Sequence, residues 1–364
     1  MLDWAPCVHG VDCLHARVVR ALRPSITVLT QSRGGQRVYR VNRRDTLVAL
    51  IALGAVPGMV NAQPAPARLA WIGSGTAEGS AAALAGFRVG MSEVGLAEGK
   101  DYGLDLFWSD GMYERFPAML EAALARKPAI ILVSTIASVR AAQQATKTIP
   151  IVMISTNDPV AAGLVKSFAR PGGNTTGMAS MNDDRAPKLL EFFREAAPKA
   201  RRIAVLINPL NPSNPIIFQS LQSAATKTGM VAEAFEADSP KRIDDAIAAL
   251  SRQPPDALVT GFDFMLNDQR AKIVTLAIGH KIPVLAVSSV YADAGALITF
   301  GVSLKANYGR VAVFVKKILA GAKPADLPVE QPTTFEMVIN LNTAKAIGIK
   351  IPRSLLSRAD RVIE

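Results

Sequence analysis

The sequence predicts an α/β fold of two similar lobes, each on a parallel sheet, joined by a multi-strand hinge. Two observations carry this. Strand and helix patterns alternate from Arg68 almost to the carboxyl terminus, as they do where parallel strands are buried under helices. The pattern also restarts. Residues 68–74 resemble 202–208, 134 positions later; 128–134 resemble 255–261 at 127; 147–155 resemble 280–288 at 133. Buried parallel strands resemble one another anyway, yet three matches at nearly constant offset point to duplication. The expected division is lobe 1 over 63–182, with 304–322 returning to it, and lobe 2 over 183–303, with 330–364 returning to it.

Each element has a local reason. Residues 68–74 read as a strand and 79–94 as a helix with small and apolar residues on one face. Residues 101–108 alternate as a strand does; 113–126 and 138–146 read as helices around a strand at 129–135. The apolar, β-branched run 149–156 reads as a buried parallel strand. Asp158 suits an N-cap and Pro159 the first helical position, so 160–168 reads as a short helix. Arg170-Pro171-Gly172-Gly173-Asn174 stops it, and a strand follows near 175–180. Lobe 2 repeats the scheme, with helices at 185–197, 215–228, 243–252 and 267–280, and strands at 202–208, 231–237, 257–261, 282–288 and 297–302. An amphipathic helix spans 308–319. The proline-rich 323–332 reads as an extended crossing, followed by a strand at 335–341, a short helix at 343–347, and a last helix or tail after Ile351-Pro352.

The first sixty residues stand apart. Residues 46–60 form an apolar run after Arg43-Arg44 and before Val60-Asn61-Ala62. Basic head, apolar middle and small residues at the cut describe a secretory signal peptide cleaved near Ala62; a buried core helix is the bland alternative. The arginine pair also allows twin-arginine export. Residues 1–40 show little periodicity and suggest a start assigned too early, with Val41 the initiator, or else an arginine-rich extension. Residues 1–62 thus read as a mis-assigned start region plus signal. They hold both cysteines, Cys7 and Cys13, and two of the three histidines. The remaining chain needs no disulfide machinery. It keeps +6 of the +11 net charge, scattered and without an aromatic-interleaved basic stripe, which argues against nucleic acid as a partner.

Catalytic constellations are missing from the pattern. Gly73-Ser74-Gly75-Thr76-Ala77-Glu78-Gly79 is one residue too long for a dinucleotide fingerprint, and no acid ends the second strand at Trp108. The loop reads as one that approaches some ligand. His280 sits before its strand, away from the ligand edge, and suits a helix C-terminus. No histidine set for a catalytic triad or an ordinary zinc site remains. No catalytic residue, metal or cofactor is expected.

Polar groups do recur where strand carboxyl ends meet helix amino ends, the edge at which ligands collect. The expected ligand-binding set is Ser74, Gly75, Ser134, Thr135, Thr156 and Asp158 in lobe 1, with Asn208, Phe262, Asp263 and Tyr291 in lobe 2. Hydroxyls, amides and carboxylates around aromatics suit a small polar molecule with an apolar part. Asp158 or Asp263 would take an ammonium, and Asp158 is expected to face Tyr291.

Several motifs occur in order: Arg43-Arg44-Asp45; Ile149-Pro150-Ile151-Val152; Asp158-Pro159-Val160; Gly163-Leu164-Val165; and Arg170-Pro171-Gly172-Gly173-Asn174-x-Thr176-Gly177. Gly321-x-Lys323-Pro324-Ala325-Asp326-Leu327-Pro328, Phe335-Glu336 and Ile351-Pro352-x-Ser354-Leu355-Leu356-x-Arg358-Ala359-Asp360 follow. Together they resemble the ABC transporter substrate-binding proteins of the tryptophan/tyrosine-type uptake group. The resemblance implies Rossmann-like lobes of the type I periplasmic binding protein kind, closing on a small molecule, with an amino acid or aromatic acid as the leading expectation. It implies a periplasmic monomer that is not an enzyme and that delivers its ligand to a permease driven by a separate ATPase. A two-lobe enzyme of dehydrogenase type and a ligand-sensing receptor module are the alternatives.

Overall fold

A computed structural model describes residues 26–32, 35–41 and 65–364. The chain divides into two compact units, 1–64 and 65–364. In the first, β1 (Ile26–Ser32) and β2 (Gly35–Val41) form an antiparallel hairpin, in register from Ile26↔Val41 to Ser32↔Gly35. No element was expected there. Ile26 opposite Val41, Val28 opposite Tyr39 and Leu29 opposite Val38, with Thr27 and Thr30 between, supply the strand propensity that helical periodicity does not register. The apolar run 46–60, Arg43-Arg44, the cut near Ala62, Cys7 and Cys13 lie outside the described residues.

Unit 65–364 contains two sheets. The first joins β3 (Ala67–Gly73), β4 (Tyr102–Trp108), β5 (Ile130–Val133), β6 (Ile151–Thr156) and β7 (Thr175–Ala179) in the order β4-β3-β5-β6-β7, all parallel. Its helices are α1 (Ala81–Glu93), α2 (Phe116–Ala125) and α3 (Ile136–Ala145). Alternation along the strands sorts the core into two layers. Leu69, Trp71, Ile130, Leu132 and Val152 pack against one set of helices, and Ala70, Ile72, Ile131, Val133 and Met153 against the other.

The second sheet follows from α4 (Asn182–Ala196), β8 (Arg202–Ile207), α5 (Ser213–Lys227), β9 (Val231–Glu236), α6 (Pro240–Arg252) and β10 (Ala257–Thr260). Next come α7 (Phe264–Asp268), α8 (Arg270–Gly279), β11 (Val284–Ala286) and β12 (Ile298–Val302). After α9 (Leu304–Leu319), β13 (Phe335–Asn340), α10 (Leu341–Ile347), α11 (Arg353–Leu356) and β14 (Arg361–Ile363) complete the chain. Strand order is β14-β13-β12-β11-β10-β8-β9, with β13 antiparallel to β12 and the other pairs parallel. The chain is thus an α/β fold of two Rossmann-like lobes. Val311, Phe314 and Val315 of α9 share a core with Phe87 and Met91 of α1, so this late helix packs on the first sheet. Strands β13 and β14 belong to the second.

Three segments cross between the lobes side by side. Ala179 N donates to Glu330 O at 2.8 Å, Glu330 N to Gly177 O at 2.9 Å, and Ser303 N to Thr334 O at 3.1 Å. Gly177 is required here. Its φ is +128°, and a Cβ would lie 2.3 Å from the Met153 carbonyl oxygen.

Three sequence expectations are corrected. No helix forms over 160–168. Asp158 adopts φ +26°, its Oδ1 accepts from Ala161 N at 3.0 Å, and Gly163 turns left-handed at φ +68°. One turn therefore closes without propagating, and short turns do not repay helix nucleation. The helix expected at 267–280 begins at Phe264 and breaks at Gln269 into α7 and α8, because Asp263 caps it earlier. The tail after α11 ends in a strand, β14, which pairs with β13.

Candidate functional site

A cleft of about 90 Å³ opens where the carboxyl edges of the two sheets face each other. Lobe 1 lines it with Trp71 and Gly73 on β3, Ser134 after β5, Ile154 and Ser155 on β6, and the amino end of α1. Ser80, the N-cap of α1, makes no side-chain capping bond. The N–H groups of the first helical turn, where Ala82 and Ala83 line the cleft, present their positive partial charge to it.

Lobe 2 contributes Phe262, Phe264, Asn267, Asp268, Arg270 and the 287–290 segment, while the crossing region adds Asn182, Arg185, Asn307 and Tyr308. The arrangement follows from one cap. Asp263 Oδ1 accepts from Leu266 N at 3.1 Å, which starts α7 at once after β10. Phe262 and Phe264 then flank the cap with ring centroids 5.6 Å apart, and Asp268 emerges one turn later at the cleft. Its Oδ2 accepts from Thr76 N of lobe 1 at 2.9 Å. Burial pushes the Asp268 carboxyl above its ordinary value against the Thr76 hydrogen bond.

Cations lie nearby. The buried Arg185 guanidinium donates to Ser180 O and Asn182 Oδ1 and lies over the Phe335 ring at 5.4 Å. Arg270 donates to Asn267 O at 2.8 Å. Asn307 is anchored through Nδ2 to Ile154 O at 2.8 Å, and its buried Oδ1 has no partner among the described residues. The cleft therefore offers one carboxylate and the amide oxygens of Asn267 and Asn307 to a donor, helix N–H groups and guanidinium to an anion, and Trp71, Tyr308, Phe262 and Phe264 to an apolar body. No group of three or more His, Cys, Asp or Glu suited to a metal occurs among the described residues.

The residues expected from sequence divide. Ser134 and Phe262 line the cleft. Gly75 is not part of the lining but packs against two residues that are: a Cβ there would stand 3.0 Å from Asp268 Oδ2 and 3.4 Å from Phe264 Cβ. Ser74 and Thr135 are buried behind the edge, 3.3 Å apart through their hydroxyls, and Thr135 caps α3 by accepting from Ser138 N at 3.1 Å. Thr156 is wholly buried, with its Oγ1 unpartnered among the described residues.

Asn208 and Asp263 are buried against each other. Asp263 Oδ2 accepts from Asn208 at 3.2 Å, Asn211 at 3.0 Å and Tyr113 of lobe 1 at 3.0 Å. Its oxygens are thus taken by protein donors. Asp158 and Tyr291 do not meet across the cleft. Asp158 is committed to its own turn, while Tyr291 is buried in the core of lobe 2 and donates to Leu266 O at 2.8 Å.

A family model described as ABC transporter substrate binding protein matches residues 76–363. The chain belongs to that family. This substrate-binding protein is 27% identical over 265 residues to a tyrosine-binding protein of Clostridioides difficile, covering 73% of this chain and 76% of the relative. Among solved structures it is similar to an ABC domain in complex with L-Trp from Streptococcus pneumonia (TM-score 0.76, 24% identity, 82% and 100% covered). A conserved domain protein from Vibrio cholerae is similar too (TM-score 0.75, 26% identity, 81% and 99% covered). These matches agree with the type I periplasmic binding protein architecture of the two lobes.

Sequence reading missed Asp268, Arg185 and Asn307 of the substrate-binding protein. Asp268 and Asn307 fall on helices, where a polar residue ordinarily marks a solvated face. The available signal was Asp263 followed by a short apolar turn, which caps a helix early enough to carry Asp268 to the sheet edge. Among the described residues no helix is long and apolar enough to cross a membrane.

Proposed function

We propose that this substrate-binding protein closes on an amino acid with an aromatic side chain and delivers it to a membrane permease driven by a separate ATPase. One observation carries the reading: the Asp268 carboxylate shares a cleft with the α1 amino end and Arg185, lined also by Trp71, Phe262, Phe264 and Tyr308. A zwitterion matches that charge pattern. Its ammonium meets Asp268 and Asn307 Oδ1; its carboxylate meets helix N–H groups or guanidinium; its ring lies among aromatics. Relatives named for tyrosine and solved with L-Trp support the same class. The residues we assign to ligand contact are Ser134, Phe262, Phe264, Asp268, Arg185 and Asn307. Export to the periplasm and action as a monomer belong to the same proposal, supported by the apolar run before Ala62.

The test is thermal shift and calorimetry with L-tryptophan and L-tyrosine beside indole-3-propionate, which lacks the ammonium, and tryptamine, which lacks the carboxylate. Either amino acid should raise the melting temperature as binding linkage requires, and both analogues should bind far more weakly. Analogues that bind as tightly as the amino acids refute the charge assignment. Consumption of the stabilising compound refutes a pure binding role.

A further inference from the structure

Tyr113 of lobe 1 reaches lobe 2, and its hydroxyl donates to Asp263 Oδ2 at 3.0 Å. The tyrosine is held on its own side by stacking on Phe116, with centroids 5.5 Å apart and planes at 22°. Apart from Tyr113, the donors to the acceptor come from lobe 2. Asp263 is 0% exposed and takes hydrogen bonds from Leu266 N, Asn208 and Asn211, all of its own lobe. Neither Tyr113 nor Asp263 lines the cleft.

We propose that the Tyr113–Asp263 hydrogen bond is a closure latch, which makes Tyr113 a positioning residue that sets affinity without touching the ligand. The chemistry suits reversible use. When the lobes part, Asp263 keeps three lobe 2 donors, so no buried carboxylate is orphaned, and water takes the Tyr113 hydroxyl. On closure the bond reforms to a preset, charged acceptor, the stronger kind of hydrogen bond. Burial first, then the Asp263 charge and hydrogen bond, raise the Tyr113 hydroxyl well above its ordinary pKa, so it remains a donor. A latch outside the cleft favours the closed state whatever the occupant. Apparent affinity scales with the fraction of protein able to close, so loss of the latch should weaken all ligands by one common factor.

The variant is Tyr113→Phe in the full chain, which keeps the ring on Phe116 and removes only the hydroxyl. Small-angle X-ray scattering without ligand should show a larger radius of gyration than the parent, restored at saturating L-tryptophan. Dissociation constants for L-tryptophan and L-tyrosine should rise by the same factor, up to about tenfold for one charge-assisted bond, mainly through faster release. Unchanged ligand-free scattering overturns the latch. So do unequal factors for the two ligands, which make Tyr113 a ligand contact, and a lowered melting temperature with unchanged affinity, which makes it merely structural. The affinity arm rests on the amino-acid reading above; the scattering arm does not. Failure of the parent to bind either amino acid therefore refutes that reading while scattering still judges the latch.

Discussion

Replacing Gly79 with alanine separates lobe closure from lobe stability. Gly79 lies outside the left-handed region, so the added methyl group is the whole perturbation. Its carbon would stand 1.6 Å from Asp268 Oδ1 and 2.5 Å from Asp268 Cγ. To reach even a 3.0 Å contact the carboxylate must retreat by about 1.4 Å. Such a shift breaks the 2.9 Å bond from Thr76 N to Asp268 Oδ2, since beyond about 3.5 Å little hydrogen bond remains. A bond to a charged group contributes about 1.5–3 kcal/mol, or roughly 10- to 150-fold in the closed-to-open ratio. The dissociation constant for L-tryptophan should rise, through the smaller closed fraction and the displaced Asp268 contact together, and ligand-free scattering, which reads closure alone, should show a larger radius of gyration. The melting temperature should stay near the parent's, because each lobe's core is untouched. An affinity within twofold of the parent, with unchanged scattering, would show that Asp268 swings aside harmlessly and refute the reasoning.

Three other outcomes follow from the same geometry. Gly177→Ala should destabilise the chain by about 3 kcal/mol or more in urea, because a Cβ would lie 2.3 Å from the Met153 carbonyl oxygen at φ +128° and backbone cannot yield as a side chain does; a loss under about 1 kcal/mol refutes it. The folded pKa of Asp268 is raised above 3.8. Its favourable contribution is therefore present below the unfolded value and lost as pH rises through the folded one. Asp268→Asn should melt higher than the parent at pH 7 without ligand and converge with it towards pH 4, while binding L-tryptophan more weakly; a pH-independent difference refutes the assignment. Gly75→Cys with Phe264→Cys, after replacing Cys7 and Cys13 by serine, places Cβ atoms about 3.4 Å apart, near the spacing a disulfide needs. Oxidation should lock the lobes and abolish ligand exchange on a non-reducing gel and in calorimetry; absence of the cross-link refutes the lobe juxtaposition.

Much of the fold was legible because burial writes itself locally. Runs such as Ile130–Val133 and Ile151–Thr156 are buried along almost their whole length, and their apolar continuity is visible in the chain. The glycine loop at 73–79 reads as one that approaches a ligand, and Gly73 and Gly79 do line the cleft. What the chain does not show is what else each makes room for: the Trp108 ring, 2.2 Å from a Cβ on Gly73, and Asp268 of the opposite lobe beside Gly79. The residue type was informative, but its neighbour was not. Asp158-Pro159 was read as a helix start, and local caps do favour one; a left-handed Gly163 and the burial of Leu164 and Val165 in the lobe 1 core decided otherwise.

The sequence by itself determined that parallel strands and helices alternate in two repeats, because hydrophobic periodicity is a property of neighbouring residues. It also marked the strand edges where polar groups gather. Only the tertiary structure decided which of those groups reach the cleft. Asp263 and Asp268 lie five residues apart, and the sequence favours Asp263, at the strand edge, over Asp268, on a helix. One is sealed among Asn208, Asn211 and Tyr113, and the other opens towards Thr76 and the α1 amino end. That difference arises from contacts between residues 150 and 192 positions apart. Burial and hydrogen-bond satisfaction at such range depend on how two lobes meet, and no local pattern encodes it.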